Sequence, residues 1–450
     1  MRRACIVGCG TTRFTSDTSE ALESVLLRSV KNLFDSTPEC DRRDVEAVIV
    51  SNASGGYAGT GSAGHDSYGG GDNSGGGGGV GGGGGGGKGG DGGSDSRGGG
   101  GGGRSRPGSA GSPPARDRHA PRMGSGYMAP ILAELAGMRP RAAHTVESLC
   151  SSGTNAIVSG YAHVASGLAD VVLVSGAEIR DTPGRILWWD DSRGQFKHPV
   201  YWASLLTSGY KRAFGVSDDD LAVVPTRAYA NAGSNPDALR PEAAPTVEDV
   251  AGSRRLTGDL RLLDCSRPCT GGASILITSE DVAGRYTDDP VLIAGIGQSV
   301  TSAGFAKHPE LSRIVSARMA CRDALRMAGS RNGGAGGATL SMSDVDVAEI
   351  HDAFSVCEPM ILEALGMAEP GRGAAVSREL YETASRRVNP RGGLIGSGHP
   401  LGATGLAQAA EVARQLWRQA RGRQADNPEV GLVHNMAAAG TSSTALVMVR

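Results

Sequence analysis

The chain has 450 residues, enough for two or three ordinary domains or one large duplicated α/β unit with a substantial core. Its 45 Lys and Arg against 47 Asp and Glu give no electrostatic ground for binding nucleic acid or an anionic membrane surface, and point to a small-molecule substrate. The eight cysteines follow neither a secreted disulfide framework nor a paired CxxC zinc spacing, no apolar run reaches bilayer-spanning length, and MRRACIVGCGTTRF lacks the apolar core of a signal peptide, so free thiols and a cytoplasmic location are expected.

In chain order, ACIVG and VEAVIVSN have the composition of buried strands. Residues 55–111 then hold 32 of the 71 glycines, with almost nothing apolar to offset the entropy of ordering, and four prolines prolong the irregular stretch to Met123. The segment 54–123 therefore reads as a disordered insertion looped out of a folded domain. A phosphate-binding glycine loop would need a strand–loop–helix context that is missing here. Helical spacing resumes in GYMAPILAELAGM, followed by strands in AAHTVES and ADVVLVSGAE with a small-residue helix from Gly153 to Leu168 between them. A second series begins near Pro290: VLIAGIGQSV, a helix around Ser312–Met327, VDVAEIHDAF, a helix from Gly405 to Gln419, EVGLVHNMAAAG and TALVMVR. Each series opens with a strand ending in glycine, a pattern that fits an internal duplication.

Four blocks carry chemistry. In VESLCSSGTNAI, Val146 to Ile157, Cys150 follows a strand and precedes a helix, where the dipole and free backbone N–H groups would favour a thiolate. Taken alone, a free cysteine is more often inert packing. In NPRGGLIGSGHPLGATG, Asn389 to Gly405, glycines crowd His399 before another helix start, which suits acid/base work near neutral pH. EIHDAF places His351 and Asp352 just after a strand, and HNMAAAG places His434 and Asn435 near the C-terminus, positions where α/β sheets gather functional groups. No histidine pair has zincin spacing, and Cys265 with Cys269 lacks two further ligands, so no metal is expected.

In this fixed order the nucleophile block, HDAF, GHPLGATG and the C-terminal loop resemble the thiolase superfamily, of the archaeal and sterol-carrier-protein type that carries HDAF and HN. LDCSRPCTGGASILITSE resembles the strand that closes the first half in that family. The resemblance implies an α/β thiolase fold with two βαβαβαββ halves packed as five layers (αβαβα). The first half would span residues 1–288, carrying the nucleophile, the 54–123 insertion and a 183–260 loop region; the second would span 289–450, with the HDAF, GHPLGATG and HN loops.

The family mechanism implies that Cys150 attacks an acyl-CoA and holds the acyl group, that His399 takes the thiol proton and then helps bind the thioester oxygen, and that His351 holds a water or donates at the oxyanion of the second substrate. Backbone N–H groups of Cys150 and of the loop between Asn435 and Gly440 would complete a second oxyanion site. The implied reaction condenses acetyl-CoA or cleaves 3-ketoacyl-CoA, with coenzyme A thioesters as substrates and no permanently bound cofactor.

Three departures from the family pattern stand out. Asn435 and Ala353 occupy the positions where relatives keep a second acid/base cysteine, which leaves Cys357, His434 or His351 itself to take the α-proton. Alanines 437–439 replace glycines and would be costly at positive φ. Thr270 stands where relatives usually carry aspartate and reads as structural. The alternatives are a thiolase-like acyltransferase of another reaction, a retro-aldolase, against which the retained Cys150 argues, and a non-catalytic acyl-CoA or lipid-binding subunit.

The resemblance also implies a homodimer or tetramer joined near Ala143–Glu147, and a small zinc-ribbon and OB-fold partner protein. The aromatics Trp188, Trp189, Tyr201, Trp202 and Tyr210 are candidates either to cover an acyl and pantetheine pocket or to pack in the core.

Overall fold

A computed structural model of the chain describes residues 2–53, 127–180, 190–239, 243–308, 310–331 and 340–450. The glycine-rich segment expected at 54–123, together with Trp188 and Trp189, lies outside the described residues. The strands are β1 (Ala4–Thr11), β2 (Ala47–Ser51), β3 (Ala142–Val146), β4 (Val171–Glu178), a small hairpin of β5 (Arg255–Thr257) and β6 (Leu260–Arg261), β7 (Gly271–Ser279), β8 (Val291–Val300), β9 (Val347–Glu349), β10 (Val430–Ala437) and β11 (Ser442–Val449). The helices are α1 (Leu22–Ser36), α2 (Met128–Leu135), α3 (Ser152–Ser166), α4 (Pro199–Phe214), α5 (Asp218–Gly233), α6 (Val247–Gly252), α7 (Glu280–Ala283), α8 (Val315–Arg331), α9 (Cys357–Leu365), α10 (Gly373–Glu382), α11 (Gly393–Ser397) and α12 (Leu401–Leu416).

The duplication expected from the two glycine-ended strands is visible in the topology. One 9-stranded sheet runs β3-β2-β4-β7-β1-β8-β11-β10-β9. Outward from the central β1–β8 contact, the first half reads opening strand, closing strand, then β4, β2 and β3. The second half reads opening strand, closing strand, then β10 and β9. Its counterpart of β3 is reduced to one parallel bridge between Ala348 and Val388, on the far side of β9 from β10.

Alternation along the strands builds the layers. Val172, Val174, Ile275 and Ile277 join an inner core with Ile157 of α3 and Leu406 and Ala410 of α12. The residues between them, Leu173 and Leu276, join an outer core with Leu26 and Leu33 of α1. Helix α12 touches β1, β4 and β7 of the first half and β9, β10 and β11 of the second, and packs on α3; α1 covers the outer face of one half and α8 that of the other. The order is helix, sheet, helix, sheet, helix. No helix among the described residues is long and apolar enough to cross a membrane.

Two glycines set the distance between the inner helices. A Cβ on Gly153 of α3 would stand 2.8 Å from Leu406 N, and one on Gly405 of α12 would stand 2.5 Å from Thr154 N, so the backbones touch where each helix begins.

The stretch expected as a loop region, 183–260, holds two 16-residue helices instead. The signals are local. His198 caps α4 ahead of Pro199, Gly215 ends it at φ 70, and Ser217 with Asp220 forms a capping box that starts α5 on three aspartates. Tyr210 is fully buried and packs edge-on against Phe214.

Candidate active site

Cys150 lies in a short 3-10 turn, Leu149–Ser151, directly before α3. Leu149 holds φ 52 to make the corner after β3. His351 follows the C-terminal end of β9, and His399 immediately precedes Pro400, the cap residue of α12. Both helix starts and the end of β9 converge. Ligand-type atoms of Cys150, His351 and His399, a sulfur and two ring nitrogens, all lie within 4.8 Å of one another. The two imidazoles meet edge to face with centroids 5.2 Å apart.

The segment Cys265–Pro268 ties the two histidine loops together. Cys265 bridges Phe354, Ser266 N donates to Ala353 O at 2.8 Å, Pro268 bridges His399, and His399 N donates to Arg267 O at 2.9 Å. Glu178, at the end of β4, anchors the α12 start: its Oε2 accepts from Gly402 N at 3.1 Å and from Ala53 N at 3.0 Å. On the His351 side, Leu394 N donates to Asp352 Oδ1 at 2.6 Å.

A cavity of about 150 Å³ opens over the three groups. Its walls are largely apolar, with Leu149, Val200, Trp202, Phe354, Leu401, Met436 and the alanines 437–439 around Cys150, Cys265, His198, His351 and His399. Trp202, one of the aromatics of the 183–260 segment, lines it and packs edge-on against Phe354 at 5.3 Å.

Burial governs the charge states. The Cys150 thiol is pushed up to about 12, first by desolvation, then by the negative charges of Glu178 and Glu147, which outweigh its own backbone N–H. The helix start therefore does not hold a resting thiolate, contrary to the expectation from the dipole alone. His399 is pushed down to about 3 by desolvation and by Arg391. His351 is held well below the usual imidazole range by desolvation, His399 and His434. At neutral pH the site is a neutral thiol beside two neutral imidazoles. Such donors can also take a soft metal ion, but no fourth His, Cys, Asp or Glu joins them among the described residues, and an ion there would occupy the nucleophile.

The other expected site residues stand further back. Asn435 is fully buried and does not line the cavity; its Nδ2 donates to Gln408 Oε1 at 2.6 Å. Gly440, at φ 74, lies past the lining residues, and its carbonyl accepts from Ser316 Oγ at 2.6 Å. The part of the loop that reaches the cavity is Met436 to Ala439. Ala438 and Ala439 take φ 47 and 67, so the alanines adopt the left-handed backbone and the loop stays at the site. His434 is fully buried with neither ring nitrogen hydrogen-bonded among the described residues, and Cys357 is fully buried at the start of α9; neither lines the cavity. Thr270 serves the framework, its Oγ1 accepting from Arg180 N at 3.0 Å.

Two contributors were not picked out as site residues in the sequence. Cys265 had no spacing that tied it to Cys150, and Glu178 ends a strand with nothing to mark its reach to α12. Trp202 was one of the two-way candidates for pocket cover or core, and it lines the cavity.

A family model described as "Thiolase, N-terminal domain" matches residues 122–180, and one described as "Thiolase C-terminal domain-like" matches 297–450. An acetyl-CoA acetyltransferase of Methanothermobacter thermautotrophicus is 35% identical over 71% of this chain and 83% of its own length. One from Methanocaldococcus jannaschii is 29% identical over 65% of this chain and 76% of its own. Sterol carrier protein 2 of Oryctolagus cuniculus is 29% identical over 67% of this chain and 57% of its own length. Among solved structures, the Ltp2-ChsH2(DUF35) aldolase matches with a TM-score of 0.73 at 17% identity, covering 99% of this chain and 97% of that one, a likeness of fold. With both family models matched and a relative 35% identical over 83% of that relative's length, the chain belongs to the thiolase family of acyltransferases.

Proposed function

We propose that the protein transfers acyl groups between coenzyme A thioesters through an acyl-Cys150 intermediate, condensing acetyl-CoA to acetoacetyl-CoA or running the reverse cleavage. The observation that carries this reading is the approach of Cys150, His351 and His399 to within 4.8 Å beneath an apolar cavity.

In the first half-reaction, Cys150 Sγ attacks the thioester carbonyl carbon while its proton passes to His399. The bond from that carbon to the CoA sulfur breaks, and the departing CoA thiolate takes the proton back from His399. An apolar cavity suits a short acyl chain. In the second half-reaction, a proton leaves the α-carbon of a second acetyl-CoA, the carbanion attacks the Cys150 thioester, and the Cys150 thiolate leaves.

His351 is assigned that α-proton. Of the sequence candidates it alone lines the cavity, and its neutral ring is free to accept. Cys265 also lines the cavity, but burial and Asp264 push its thiol higher still, and its Sγ–H donates to Arg261 O at 3.4 Å. A cytoplasmic homodimer or tetramer fits β3, an edge strand with half-buried residues open to pairing. A small zinc-ribbon and OB-fold partner remains part of the proposal; the structural neighbour is itself named as a complex with a DUF35 protein.

The test separates the half-reactions. His351→Ala should still form the acetyl adduct on Cys150 while acetoacetyl-CoA synthesis and thiolysis fall by roughly 100-fold or more, the scale of a lost acid/base group. Cys265→Ala should keep both. Loss of turnover in Cys265→Ala with His351→Ala active would transfer the base role to Cys265.

A further inference from the structure

Thr404, on the first turn of α12, is fully buried. Its Oγ1 lies 2.7 Å from His399 Nδ1 and 3.2 Å from Pro400 O. The hydroxyl owns one hydrogen, and a carbonyl oxygen only accepts. That hydrogen therefore goes either to Pro400 O, leaving Oγ1 to accept from Nδ1–H, or to Nδ1, leaving the proton of the neutral ring on Nε2. In the second case Nε2 cannot accept a thiol proton. The choice made at Thr404 thus decides whether His399 can act on Cys150.

Three features favour the first arrangement. Helical side chains lean toward the N-terminus, which brings the Thr404 hydroxyl over Pro400, and a hydroxyl donating to the carbonyl four residues back is a common helical geometry. The His399 backbone is tied to Arg267 O and bridged to Pro268, and its ring is buried, which keeps Nδ1 within reach of Thr404. The neighbouring Cys150 thiol is a donor in need of an acceptor, which a bare Nε2 supplies.

We infer that Thr404 is a positioning residue that holds His399 as its Nδ1–H tautomer, passing its own hydrogen to Pro400 O, so that the Nε2 lone pair faces the Cys150 thiol. This rests on the reading of His399 as the base for Cys150. In the same way that the partner of a catalytic or metal-bound imidazole selects which nitrogen reacts, Thr404 selects it here with a neutral hydroxyl.

The experiment uses the full chain labelled with ¹⁵N-histidine, with the His399 signals identified by their loss in His399→Asn. Two-bond proton–nitrogen correlation at pH 7.5 should show a protonated Nδ1 and a bare Nε2 in the wild type. Thr404→Val should move protonation toward Nε2 and slow the single-turnover release of CoA from acetyl-CoA by roughly 10- to 100-fold with little change in KM. Thr404→Ser should restore both the tautomer and the rate to within threefold. A wild-type ring protonated on Nε2 overturns the proposal, and so does a folded Thr404→Val that keeps wild-type tautomer and rate. Acylation of Cys150 in the wild type, measured separately, decides the underlying reading, whereas the ring signals decide this one.

Discussion

Cys150 stands at a helix start, yet burial and the carboxylates Glu178 and Glu147 keep its thiol protonated. The proposed mechanism accordingly has His399 take the thiol proton during attack, with no standing ion pair. Alkylation of Cys150 by iodoacetamide, read by mass spectrometry without substrate, should accelerate about tenfold per pH unit from pH 7 to 9, because the thiolate fraction rises in that proportion below the thiol's own titration. A plateau near pH 7 would mean that a resting thiolate exists. His434 supplies a second residue-level prediction. Its folded-state titration lies at about 3, below the unfolded value near 6.5, so in this window the unfolded chain binds the extra proton and stability falls as pH drops from 6.5 toward 3. Replacing it by Leu should leave turnover within threefold at pH 7.5 and lessen the loss of stability on going to pH 5 by about 2 kcal/mol, measured by urea unfolding at both pH values. A His434→Leu chain that is folded but inactive would return His434 to the list of proton carriers.

At the scale of elements, the site depends on how closely two helices begin beside each other. Gly153 follows Cys150 by three residues and Gly405 follows His399 by six, and each closely approaches the backbone of the other helix. Gly153→Ala should cost about 1–3 kcal/mol in thermal unfolding and should slow acylation as well, since any relief must move the Cys150 turn away from His399. Unchanged stability and rate would show that the helices can separate freely. The C-terminal loop makes the opposite trial. Ala438→Gly and Ala439→Gly remove a left-handed strain of about 1 kcal/mol each at φ 47 and 67, offset in part by the freedom glycine gains in the unfolded chain. Each should leave the melting temperature level or raise it, and a clear drop would show that the methyl groups pack.

What the sequence made legible follows from range. Strands such as VLIAGIGQSV and the small-residue helix after Cys150 announce themselves by local composition, and the four motif blocks mark Cys150, His351 and His399 by local pattern. The start of α12 was harder, since LGATG reads as a glycine turn and is already helix from Leu401; this is what brings Thr404 back onto His399. Helices α4 and α5 were missed because their aromatic, charged and proline residues blur the period, although the caps were there to be read. Cys265 and Glu178 could not be found at all by local reading, because each reaches the site across a long separation in the chain.

Across the whole molecule, two copies of one strand order share a layer of inner helices, and the first half brings Cys150 while the second brings His351 and His399. Neither half holds all three groups. In the proposed mechanism covalent acyl transfer is therefore a property of the joined halves, and its most direct test is mass spectrometry of the intact chain after mixing with acetyl-CoA while free CoA is recorded. The account predicts a single acetyl adduct that maps to Cys150, appears together with CoA and vanishes in Cys150→Ala. An adduct that persists in Cys150→Ala, or no adduct from either acetyl-CoA or acetoacetyl-CoA, would contradict it.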